Sequence, residues 1–261
     1  MTKIAHEAPL SIFDEVQNLT DYDYALVHLF EENDEYWDKF VQAKGKGREI
    51  ILDNSIFELG EAFSADKFYP WIERLQPTWY IIPDKLEDAQ VTVKNVKEWQ
   101  HVAGCKSIGV VQGKNYDEME WCYKEIEPHV DKVAISFDYS FFIDADQYGN
   151  LPTKFHYYMF GRDDLIHRLL YNNIINTSKP HHLLGCGLPQ EFKSYKGYEW
   201  IDSLDTSNPV VAGIKGIEYD GVCGLEDKPS VKLFTLINEY IDERTRATIR
   251  RNIDWFKQIV R

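Results

Sequence analysis

Six short runs in this chain end in residues whose types could do chemistry. They are Ile51-Leu52-Asp53-Asn54-Ser55, Ile81-Ile82-Pro83-Asp84, Val110-Val111-Gln112-Gly113, Ser136-Phe137-Asp138, Leu184-Gly185-Cys186-Gly187 and Ile201-Asp202-Ser203-Leu204-Asp205. Carboxylates with no evident metal ligand set suit reactions at an anomeric carbon. One attacks C1′ or stabilises an oxocarbenium-like state while a second handles protons. Asp and Gln also suit the edge of a guanine-like base. The carboxylate accepts from N1–H and N2–H, and the amide donates to O6. Phe57, four residues after Asp53, offers a ring that can stack on a purine. An isolated Asp after a strand ordinarily caps the next helix. The weight here lies in several polar ends arriving from different strands.

Other chemistries lack their signatures. There is no Ser-His-Asp pattern, no GxSxG elbow, no P-loop and no glycine-rich dinucleotide fingerprint. Cys105, Cys122, Cys186 and Cys223 form no CxxC pair and read as four free thiols. The histidines show no HExxH spacing, and the neighbours His181 and His182 would point in opposite directions on a strand. No metal and no cofactor is therefore expected.

The elements that must position these residues follow a rhythm. Candidate strands are Tyr24–Phe30, Glu49–Asp53, Trp79–Ile82, Ser107–Gln112, Lys132–Phe137, His182–Gly185 and Trp200–Leu204, with an eighth at Gly213–Tyr219. Helical patterns lie between them at Asp34–Ala43, Ala65–Leu75, Leu86–His101, Tyr116–Ile126 and Arg162–Asn172, with Ser64 and Asn115 as N-caps. Phe141–Met159 reads as a long loop and Val231–Val260 as a closing helical region. Several strands are continuous apolar runs, as buried parallel strands should be. Seven or eight such units predict an α/β fold, a (β/α)8 TIM-like barrel, in one domain over residues 1–261. In that fold the site gathers at the carboxyl ends of the strands, so the polar ends above would meet at one mouth.

Composition narrows the classes further. Hydrophobic residues make up 44% and aromatics 14% of the 261 residues, which excludes disorder as the main state. No apolar run nears the ~18 residues of a membrane span. The N-terminus has no basic region followed by an apolar stretch, so a cytoplasmic protein without a membrane partner is expected. Net charge is −14, with −10 of it in residues 1–100. So acidic a chain disfavours general nucleic-acid affinity. The exception is Arg244–Arg261, where Arg244, Arg246, Arg250, Arg251, Lys257 and Arg261 face a lone Asp254. That segment is a weak candidate for nucleic-acid contact, against the plainer reading of a solvated helix face.

Four of the runs, in order, resemble the tRNA-guanine transglycosylase family. Asp53-Asn54-Ser55-Ile56-Phe57 is similar to its DSGGF segment, and Val110-Val111-Gln112-Gly113 to its IVQG strand. Leu183-Leu184-Gly185-Cys186-Gly187-Leu188-Pro189-Gln190-Glu191 is similar to YLMGVGxPED, and Ile201-Asp202-Ser203-Leu204-Asp205 to VDMFD. The resemblance covers roughly residues 24–209. It implies a (β/α)8 barrel that exchanges guanine in a nucleic acid for a 7-deazaguanine through a covalent C1′–Asp intermediate. Asp205 would be the nucleophile and Asp53 the general acid/base. Asp84 and Gln112 would read the purine, Phe57 would stack on it, and Leu184 and Gly185 would line the base pocket.

The chain also departs from that family. Only Cys223 follows Asp205 and no histidine follows His182, so the family's zinc site is not expected in these residues. The basic PTR after the nucleophile is here Pro209-Val210-Val211, and the Gly-Gly-Leu of strand five is not recognisable. A short, zinc-free chain is most similar to the phage-type DNA-guanine transglycosylases of 7-deazaguanine DNA modification. The resemblance then implies DNA as partner, a base such as preQ0 as co-substrate and, for a viral chain, the host cytoplasm as location, and it admits a homodimer. The alternatives are a tRNA enzyme, a catalytically silent accessory subunit, and a nucleoside or glycoside hydrolase.

Overall fold

A computed structural model describes residues 1–138, 145–220 and 224–261. Its strands are β1 (Lys3–Ala5), β2 (Asp23–Leu26), β3 (Ile50–Asp53), β4 (Trp79–Ile81), β5 (Lys106–Val110), β6 (Lys132–Ser136), β7 (His181–Leu184) and β8 (Ile201–Asp205). Its helices are α1 (Phe13–Gln17), α2 (Val27–Glu32), α3 (Asp34–Gly45), α4 (Ile56–Leu59), α5 (Ala65–Leu75), α6 (Ala89–Glu98), α7 (Tyr116–Ile126), α8 (Ala145–Tyr148), α9 (Lys154–Tyr171), α10 (Asn208–Ile214) and α11 (Glu243–Val260). The eight strands belong to one sheet in the order β1-β8-β7-β6-β5-β4-β3-β2. Parallel strands with interleaved helices make this a TIM-like (β/α)8 fold, as the rhythm of the sequence predicts.

The chain divides into two compact units. One holds Met1–Asp21, Ile135–Asn176 and His182–Arg261, and the other holds Tyr22–Ala134 and Thr177–His181.

In the first unit β1 pairs with β8, setting Ala5 opposite Asp205. Ala8, Ile12, Val16, Val210, Val211, Leu233, Ile241, Ile249 and Ile253 form a buried apolar cluster. α10 lies close to α11: a Cβ on Gly213 would come within 2.5 Å of Ile249 Cγ1. α11 starts where Asp242 accepts a hydrogen bond from the Thr245 N–H, a side-chain N-cap.

In the second unit β2 through β5 pair in order, with Leu26 opposite Asp53. β3 is buried along its whole length, which is why Ile-Ile-Leu runs without polar alternation. Asn33, Asp88 and Asn115 cap α3, α6 and α7 through their side chains. Ser64 precedes α5 but makes no side-chain cap.

Some sequence expectations need correction. The eighth strand is β1, at the N-terminus, and not Gly213–Tyr219. That stretch begins inside α10, whose end is turned by Gly216 in the left-handed region (φ 72°), with the Ile217 N–H bonded to the Ala212 carbonyl. The run Tyr24–Phe30 divides into the end of β2 and the start of α2, since a short apolar run suits a strand or a buried helix equally. Of the expected loop Phe141–Met159, residues 145–148 are α8 and the last six begin α9, which starts eight residues before Arg162. Residues 141–144, like Cys223, lie outside the described residues.

Candidate functional site

In the first unit the site is built around the end of β8. Ser203 and Asp205 alternate onto one face, while Asp202 falls on the other. β7 brings His182 beside them. Its Nδ1 is 2.9 Å from Ser203 Oγ and its Nε2 is 3.0 Å from Asp205 Oδ1. A carboxylate oxygen accepts, so Nε2 carries the proton of this bond. The Gly185 N–H donates to the same oxygen at 3.2 Å. Oδ2 of Asp205 takes no hydrogen bond among the described residues. Gly185 has φ 62°, and a Cβ there would meet the Phe137 ring at 2.6 Å, so a side chain would both strain and displace the N–H that holds Asp205.

Behind this strand end lies Arg162 of α9, fully buried with Glu191. Its Nε donates to Glu191 Oε1 at 2.6 Å and its Nη2 to Oε2 at 3.0 Å. Nη1 donates to the Leu184 carbonyl at 2.9 Å, and both terminal nitrogens donate to the Gly185 carbonyl at 3.2 Å. Tyr195 OH adds a donor to Glu191 Oε1 at 2.8 Å. Burial works against the guanidinium's charge, but Glu191 more than reverses this and holds its pKa above the ordinary value. The ion pair therefore pins the backbone of Leu184 and Gly185. Lys228 approaches from the loop before α11, and its Nζ donates to the Cys186 carbonyl at 2.7 Å.

The second unit gathers the other sequence candidates. Asp53 accepts from Tyr24 OH at 2.6 Å through Oδ2 and from the Ser55 N–H at 2.5 Å through Oδ1. The bond from the Ser55 N–H to Asp53, two residues back, is an Asx turn, and Ser55 itself sits in the left-handed region (φ 62°). Asp84 is buried and accepts from Asn54 Nδ2 at 2.8 Å and from Gln112 Nε2 at 2.7 Å, one on each oxygen. Burial pushes the Asp84 carboxyl up, and these two donors partly offset it. Asn54 and Gln112 are each oriented at their other end: Asn54 Oδ1 accepts from the Ile56 N–H and Gln112 Oε1 from the Glu87 N–H. Phe57 lies on α4 with about half its surface exposed (47%).

The structure thus brings Asp84 to Gln112 in one unit, and Asp205 to Gly185 in the other. Leu184 ends β7, half-buried, with its carbonyl on Arg162. The C-terminal arginines turn to acids of their own unit. Arg246 and Arg250 bond Glu15, Arg251 bonds Glu218 and Arg261 bonds Asp21. Arg244 is exposed at the start of α11. Among the described residues no group of three or more His, Cys, Asp or Glu is placed to hold a metal ion, and no helix is long and apolar enough to cross a membrane.

Sequence reasoning left Tyr24, Asn54, Arg162, His182, Glu191 and Lys228 without a role. His182 carried the one usable signal, since its alternation against His181 puts it on a different face. In the second unit His181 indeed meets Tyr123 OH through Nε2 at 2.9 Å.

No protein-family model matches the chain, and no curated protein matches it.

Proposed function

We propose that this protein is a base-exchanging transglycosylase that replaces guanine in a nucleic acid, DNA before tRNA, with a 7-deazaguanine such as preQ0. One observation carries the reading. Asp205 is held at Oδ1 by His182 and Gly185, while Oδ2 has no hydrogen-bond donor among the described residues. A carboxylate oriented through one oxygen has the other ready to attack.

The chemistry is a double displacement. Asp205 Oδ2 bonds to C1′ as the C1′–N9 bond breaks, and the departing guanine takes a proton from a general acid. The incoming 7-deazaguanine gives up its N9 proton, attacks C1′ and releases the carboxylate. The His182 N–H on Oδ1 orients the nucleophile and stabilises its charge when the ester opens. The proton role falls to Asp53 by the family resemblance. Asp84, Gln112 and Asn54 support the reading from their own unit, since a carboxylate set among amides matches a guanine edge. Purine binding there exchanges amide–carboxylate bonds for base–protein bonds.

The test is incorporation of radiolabelled guanine or preQ0 into guanine-containing DNA and, separately, tRNA. Incorporation into DNA, lost in Asp205→Asn, supports the proposal. Release of base without incorporation identifies a hydrolase, and neither outcome in active-folded protein identifies an accessory subunit.

A further inference from the structure

We propose that Lys228 is a phosphate-binding residue for the nucleoside attacked at Asp205, so that the substrate carries a phosphate on its sugar; this deepens the transglycosylase reading and rests on it. The ammonium sits in a built setting. It donates to the Cys186 carbonyl at 2.7 Å and lies over the Phe137 and Phe155 rings, at 4.9 and 5.7 Å from their centroids. Cys186 follows Gly185, whose N–H holds Asp205, so the charge is tethered one residue from the nucleophile's own anchor.

The donor count points to a ligand. A lysine ammonium has three N–H groups, and among the described residues a single carbonyl accepts from this one. Arg162, in the same unit, is different: Glu191 and the Leu184 and Gly185 carbonyls take up its donors and its charge. Arg246, Arg250 and Arg251 of α11 are likewise spent on Glu15 and Glu218. Lys228 keeps donors to offer.

Electrostatics gives the offer a purpose. The carboxylates of Glu7 and Asp205 favour the Lys228 charge, and the Arg162 guanidinium, itself paired with Glu191, opposes it. A phosphate brought to that neighbourhood meets two negative charges in a chain of net −14, and needs a cation to offset them. Burial lowers the pKa of the lysine, and the side chain is half-buried, so an anion can reach it. The aromatic faces hold it in place without using its N–H groups. No free nucleoside would need such a group, whereas a nucleotide or a strand would.

The test compares binding of deoxyguanosine, deoxyguanosine 5′-phosphate and a short single-stranded DNA with one guanine. Wild-type protein is expected to favour the phosphate-bearing probes by about 10-fold or more, the worth of a charge-assisted hydrogen bond. Lys228→Met and Lys228→Gln should bring the ratio of phosphate-bearing to phosphate-free affinity close to one, and Lys228→Arg should keep most of it. A strand favoured over the mononucleotide assigns the phosphate to nucleic acid, and equal affinity assigns it to a free nucleotide. A wild-type ratio near one, or a ratio that survives Lys228→Met, overturns the proposal. Should the neutral variants fail to fold, the wild-type ratio and its fate in Lys228→Arg still decide. A Lys228-dependent preference without base exchange sinks the transglycosylase reading alone, and base exchange without that preference sinks this inference alone.

Discussion

Asp84 and Asp205 are both buried carboxylates near the ends of strands, one in each unit, and they are held in different ways. Asp84 has a donor on each oxygen, from Asn54 and Gln112, and those amides are themselves oriented by backbone N–H groups. Among the described residues Asp205 has both of its donors on Oδ1. A carboxylate satisfied on both sides is suited to recognition, because a ligand gains only what it exchanges. A carboxylate satisfied on one side is suited to bond formation, because its second oxygen is not committed. Burial alone does not separate the two residues, at 4% and 5% exposure. The distribution of donors does.

The largest effect should come from the support behind Asp205. Glu191→Ala leaves the Arg162 guanidinium buried without its partner, which should cost about 3–5 kcal/mol in urea denaturation. It should also loosen Gly185, whose carbonyl Arg162 holds. A Glu191→Ala protein as stable as wild type would show that the pair does not anchor this strand end.

A smaller effect is expected at Asp84. Asp84→Ala leaves the Asn54 and Gln112 amides without their acceptor and removes the acceptor proposed for the purine. Affinity for guanine should fall by about 1–3 kcal/mol, read by calorimetry with the free base. The maximal exchange rate should change less than in Asp205→Asn. If Asp84→Ala instead stops the reaction with base affinity intact, the division of labour between the two carboxylates is reversed.

Acid gives the smallest effect and touches both units. Burial lowers the pKa of His6 in one unit and His181 in the other from 6.5 to about 4. The unfolded chain then binds protons that the folded one refuses between these values. Stability is full above pH 6.5 and falls as pH drops toward 4. Between pH 7 and 5.5 the loss should be roughly 1 kcal/mol per histidine. Equal stability at the two pH values would mean that neither ring is held neutral.

Much of this was legible because the strands that carry the candidates are continuous apolar runs. Ile51-Leu52 before Asp53 and Val110-Val111 before Gln112 announce buried strands and their ends. β1 was not legible: Lys3–Ala5 is three residues long, and its strand character comes from pairing with Ser203–Asp205. The start of α9 was hidden because Tyr157, Tyr158 and Phe160 are aromatic residues of low helix propensity, held there by ring contacts such as Phe155 to Tyr158 and Tyr148 to Phe160. Strand alternation sets Asp202 and Asp205 on opposite faces, and Asp205 lies nearer the carboxyl end of β8. His182, Arg162 and Lys228 could not be joined to it, because each arrives from a different place in the chain and no periodicity records a hydrogen bond.

The central claim is that Asp205 forms a bond to C1′, and intact-protein mass spectrometry tests it most directly. The protein is incubated with a short guanine-containing DNA, quenched with acid and weighed. The expected result is a mass increase equal to the oligonucleotide less its guanine, mapped to the peptide carrying Asp205, absent in Asp205→Asn and chased away by added 7-deazaguanine. An Asp205→Asn protein that still forms the adduct, or that exchanges base at the wild-type rate, would contradict the claim.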